Sequence, residues 1–94
     1  HLSVSVPRTK WPNPAAVSTT LRFALPRAST VRLTLYDTAG RVVRELVRGS
    51  RTAGEHSEEW DLRETSGRRT TAGLYLARLE VDGSVQVRRL VVLR

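Results

Sequence analysis

The feature that most constrains this chain is strict two-residue alternation, repeated in short runs along its length. Leu2, Val4 and Val6 alternate with serines; Leu21, Phe23 and Leu25 with Arg22 and Ala24; Val31, Leu33 and Leu35 with Arg32, Thr34 and Tyr36. Tyr75, Ala77, Leu79 and Val81 share one face, with Arg78 and Glu80 on the other. A period of two puts alternate side chains on opposite faces of a strand, so each run reads as a half-buried strand. Val85 and Val87 open a last segment that ends in Leu90–Leu93, and the pair Arg88-Arg89 points to a register shift or bulge within it.

Turn chemistry separates these runs. Asp82-Gly83 stands between two of them and predicts a two-residue hairpin. Asp37-Thr38-Ala39-Gly40 places Asp early and Gly late, as a type I turn with a left-handed residue prefers. Pro7 and Pro26 end strands, because proline cannot donate to a ladder. Trp11-Pro12-Asn13-Pro14 reads as extended surface chain, and residues 64–72 as a long polar loop. One stretch resists: Val42, Val43, Leu46 and Val47 have the spacing of one helix face, yet two turns make a weak helix, and the valines and the preceding turn favour an edge strand. With Glu55–Trp60 added, about seven antiparallel strands are expected, which is the pattern of an all-β sandwich. Trp60, Tyr75 and Phe23 are the expected core anchors. Tyr75 sits where Ig-like sandwiches place a tyrosine whose hydroxyl bonds back to the preceding loop.

Ninety-four residues make one domain with one modest core. We divide the chain into a leading strand or upstream linker at 1–10 and the sandwich at 11–94. No apolar run approaches the ~20 residues of a spanning helix, so no membrane insertion is expected. There is no cysteine, hence no disulfide or thiolate chemistry, and no methionine, so the chain is expected to be a matured form or a piece of a longer product. The net charge of +7 comes almost wholly from arginine, with Lys10 the only lysine. Such a balance favours loose adhesion to polyanions. Only five aromatic residues exist, too few to fill a core and also stack bases, so no specific nucleic-acid partner is expected.

No catalytic pattern emerges. His56, Glu58, Glu59 and Asp61 form the densest group of acid, base or ligand side chains, but a third metal ligand is missing and the simpler reading is arginine-paired carboxylates. Glu58 shares an alternation face with Trp60, which is odd for a core face. Asp37, Asp61 and Asp82 read as turn formers, the alternative being calcium ligands on converging loops. No serine lies in a nucleophile motif and no glycine-rich phosphate loop exists. We therefore expect no enzyme, no cofactor and no metal.

The order of motifs from Trp11 onward resembles a known family. Pro12-Asn13-Pro14 with Ser18–Phe23, Leu35–Arg41, Ala53–His56 with Trp60-Asp61, Ser66–Arg68 with Ala72–Tyr75, and the closing Arg89–Arg94 follow the sequence of the Ig-like domain of flagellar hook-capping proteins and the similar C-terminal sorting domains of type IX secretion cargo. The resemblance implies an Ig-like, fibronectin-III-like sandwich acting as a non-catalytic C-terminal accessory domain for sorting, anchoring or spacing, secreted or at the bacterial cell surface. It implies upstream domains of the same polypeptide and secretion or surface-attachment machinery as partners, with Arg88, Arg89 and Arg94 as sorting-signal candidates. Two departures stand out: Leu62 replaces the glycine usual after Trp-Asp, and Glu58 replaces an apolar residue. Two other functions remain open. One is a self-assembly module pairing through the edges Leu2–Val6, with Leu2, Val4 and Val6 as pairing residues, or 41–48; the other is a weak polysaccharide binder using Trp11, Tyr36 or Tyr75.

Overall fold

The computed structural model describes residues 2–5 and 19–92. These form seven strands: β1 (Leu2–Ser5), β2 (Thr19–Leu25), β3 (Ser29–Asp37), β4 (Val42–Arg51), β5 (Gly54–Trp60), β6 (Gly73–Val81) and β7 (Ser84–Val92). All pairings are antiparallel, in a three-stranded sheet ordered β1-β2-β5 and a four-stranded sheet ordered β4-β3-β6-β7. Arg94, Val6, Pro7 and Trp11–Pro14 lie outside the described residues.

The alternation of the sequence becomes the two faces of each sheet. Leu21, Phe23 and Leu25 of β2 point inward with Leu2, opposite Val31, Leu33 and Leu35 of β3 and Tyr75, Ala77 and Leu79 of β6. Trp60 is the largest side chain with no exposed surface. Burial of these residues from water is what holds the two sheets together, at about 1.5–3 kcal/mol for each large apolar side chain.

The segment with helix-like spacing is strand β4. Leu33 pairs with Val47 but Thr34 with Glu45, and Leu35 pairs with Arg44 but Tyr36 with Val42. Leu46 and Val43 are thus each left over, as bulged residues. Val47 faces inward in the ladder opposite Leu33, and the two bulged residues turn inward as well: Val43 is buried and Leu46 packs against the core. Apolar positions 42, 43, 46 and 47 therefore imitate a helical stripe.

The expected irregularity at Arg88-Arg89 is absent. β6 and β7 pair without interruption from Gly73↔Val92 to Val81↔Ser84. In this register Leu90 and Val92 face inward, whereas Val85, Val87 and Val91 face outward and are exposed. Gln86 takes the inward position between the two outward valines. Its side-chain oxygen accepts the backbone N–H of Leu2 at 2.9 Å, a tie from one sheet to the other.

The predicted turns form with the expected backbone. Asp82 and Gly83 both have positive φ, 46° and 88°, as a type I′ hairpin requires. Gly40, at φ 85°, donates its N–H to the Asp37 carbonyl and closes the β3–β4 turn.

Candidate interaction surface

The connection between β5 and β6 builds a corner around two aromatic rings. Trp60 donates its indole N–H to the Arg63 carbonyl at 2.9 Å and meets Tyr75 edge to face, ring centres 5.6 Å apart. The Tyr75 hydroxyl donates back to the Thr71 carbonyl at 2.7 Å. Between these anchors Leu62 adopts φ 61°, a left-handed conformation that costs a leucine free energy, while its side chain is fully withdrawn into the core. The Leu62 carbonyl accepts both the backbone N–H and the hydroxyl of Thr70, so the strained residue is clamped from two sides.

The same connection covers β4. Thr65 donates its N–H to the Val43 carbonyl at 3.0 Å, at the residue the bulge leaves without a ladder partner. Arg44 of β4 reaches Asp61 at 2.9 Å, and Asp61 also accepts the Arg63 N–H. The outer face of the four-stranded sheet is held by charge. Arg32 and Arg48 both bind Glu45, and Arg78 pairs with Glu80. Hydrogen bonds from the Arg48 guanidinium first, then from Arg32, hold the Glu45 carboxyl below its usual range. Asp37 is likewise lowered, first by the Arg41 backbone N–H, with further help from the Arg41 side chain and the Ala39 N–H.

The aspartates thus serve locally. Asp37 and Asp61 hold turns and arginines, and Asp82 accepts the Thr30 N–H. Among the described residues no group of three or more His, Cys, Asp and Glu could hold a metal ion. His56 stacks on Phe23 with centres 5.3 Å apart, and its Nε2 lies 2.8 Å from the Thr52 carbonyl oxygen. Glu58 does lie on the Trp60 face, yet only half-buried. The reason is position: β5 is an outer strand, so its inward face overhangs the rim of the sandwich. The one orphan polar atom is the Thr34 hydroxyl, buried on the central strand β3 with no hydrogen-bond partner among the described residues.

Sequence-predicted site residues separate into three sets. Trp60, Tyr75 and Phe23 are buried in the core, which leaves Tyr75 no free ring face for a sugar, and Tyr36 is half-buried. Leu2 is buried and pairs with Phe23, and Val4 stands opposite Leu21 in the ladder. Arg88 and Arg89 are adjacent and exposed on β7, with no carboxylate partner among the described residues. Sequence reasoning missed how open β7 is: Val85 and Val87 with the closing apolar run signalled a strand, but not which side of it faces solvent.

The FlgD Ig-like domain family matches residues 13–84. The chain belongs to that family. The crystal structure of FlgD from P. aeruginosa superposes on this FlgD-type domain with a TM-score of 0.58 and 29% identity, over 77% of this chain and 58% of that one. The domain therefore spans less than two thirds of that protein. No curated protein matches it. The fold is the Ig-like all-β sandwich, and the family is structural and not enzymatic. Both findings fall on the hook-capping branch of the resemblance, and neither supports the type IX sorting branch.

Proposed function

We propose that this FlgD-type domain is a structural assembly module of the hook-capping kind. It acts as a stiff block in a longer extracytoplasmic bacterial polypeptide, spacing its neighbours and contacting proteins through its surface. The observation that supports this most is how the reactive inventory is spent. The buried aromatic rings pack the corner, the aspartates hold turns, and the outer arginines of β3, β4 and β6 are paired with carboxylates. Stiffness and edges are what is left for the surface to offer.

The test is made in the parent polypeptide. Removing the domain should abolish assembly of the larger structure, and exchanging it for an unrelated sandwich of equal length should restore spacing but not contacts. Assembly that survives removal would overturn the reading. Arg88 and Arg89 would also suit a sorting signal, but the family match favours assembly.

A further inference from the structure

A two-sheet sandwich has four edge strands, and in this molecule they are unequal. β1 is four residues long. β4 is bulged twice and has the β5–β6 connection hydrogen-bonded onto it. The two remaining edges are regular and unpaired on their outer sides among the described residues: β5 in one sheet and β7 in the other. An uninterrupted edge is a template for another strand unless something guards it.

What guards these two is charge, of opposite sign. β5 presents Glu55, Glu58 and Glu59, and β7 presents Arg88 and Arg89. None of the five has an ion-pair partner among the described residues, although the other acidic groups that hold arginines show that such pairs form readily here. β7 against β7 would bring arginine to arginine, and β5 against β5 glutamate to glutamate. Like charges directly opposite destabilise a ladder. The pairing that neither sign forbids is β7 of one molecule with β5 of another.

One register satisfies both strands. Antiparallel pairing with the inward faces on one side can set Gly54 against Val92 and Trp60 against Gln86, using all of β5. Arg88 then stands opposite Glu58, and Arg89, opposite Ser57, has Glu55 and Glu59 at the two diagonal positions. The outward valines 87 and 91, about half exposed at 45% and 54%, come to lie beside the stems of Glu59 and Glu55.

We propose that this domain self-associates head to tail, the β7 edge of one copy adding to the β5 edge of the next. This deepens the assembly reading and rests on it. Such a contact is heterologous: a joined pair keeps one unused β5 edge and one unused β7 edge, so the series closes into a ring or grows as a filament.

The experiment is light scattering of the purified domain over a wide concentration range at low and high salt. The expected result is a mass that rises with concentration and falls back as salt screens the pairs. R88E with R89E, and separately E58R with E59R, should each weaken association about tenfold or more. An equimolar mixture of the two variants should restore it, because each then offers the other opposite charges; that recovery also shows that both are folded. A wild type that stays monomeric at low salt would overturn the proposal while leaving a spacer role intact. Assembly that survives both reversals would overturn it too, by placing the contact on another surface.

Discussion

The connection from β5 to β6 and the hairpin from β6 to β7 both redirect the chain, by opposite means. The hairpin needs two residues, Asp82 and Gly83, each suited to the left-handed backbone it adopts. The longer connection puts Leu62 into that same region, where a leucine is ill suited, and holds it with burial and two hydrogen bonds from Thr70. Local preference shapes the first turn; packing overrules local preference in the second. A turn of the second kind depends on residues far from the strained position.

The largest test of that dependence is Trp60→Ala. It removes the fully buried ring against which Tyr75 packs and the indole N–H held by Arg63, and should cost about 3–5 kcal/mol in denaturant unfolding. A loss under about 1 kcal/mol would mean that the corner does not organise the fold. Next comes a pair at one position. Leu62→Ala keeps the strained backbone and leaves a cavity, for about 2–4 kcal/mol. Leu62→Gly loses the same side chain but relieves the strain, and should be less damaging than alanine by about 1 kcal/mol. Equal losses would show that Leu62 is not strained. Tyr75→Phe deletes the hydroxyl's bond to the Thr71 carbonyl and its longer contact with the Thr71 hydroxyl, and should lower stability by about 1–2 kcal/mol, with the melting temperature falling accordingly.

The smallest effect concerns the well-suited turn at Asp37–Gly40. Its Asp37 carboxyl is lowered from 3.8 in the folded protein, so the folded state favours the ionised form. That contribution is complete above the unfolded value and disappears as pH falls through the folded one. Unfolding measured from neutral pH into the acid range should show less acid sensitivity in Asp37→Asn, and the difference should shrink in salt. An unchanged profile would mean that the turn does not depend on that charge.

These contrasts also explain what could be read in advance. Strands β2, β3 and β6 were plain in the sequence because each lies inside its sheet with one buried face, so alternation survives intact. The edges were harder. In β4 the bulges at Leu46 and Val43 scramble the period, and in β7 an unbroken ladder follows a sequence whose outward positions are three valines and Arg89 and whose inward ones include Gln86 and Arg88. An edge strand lacks a neighbour on one side, so apolar and polar residues are sorted less cleanly there. The sequence also revealed Leu62 as a departure, but not that its backbone would keep the glycine-like angle, since the reason lies in Thr70 and the core.

The strand order carries a consequence in time. The β3–β4 and β6–β7 pairs join neighbours along the chain and can zip within microseconds. The β2–β5 and β3–β6 ladders instead bring together segments separated by other strands, and neither sheet is complete without one of them. Closing those loops loses chain entropy before any contact compensates. Refolding should therefore be governed by these long-range ladders, on the order of milliseconds to seconds, with both edges exposed to neighbours while the molecule waits.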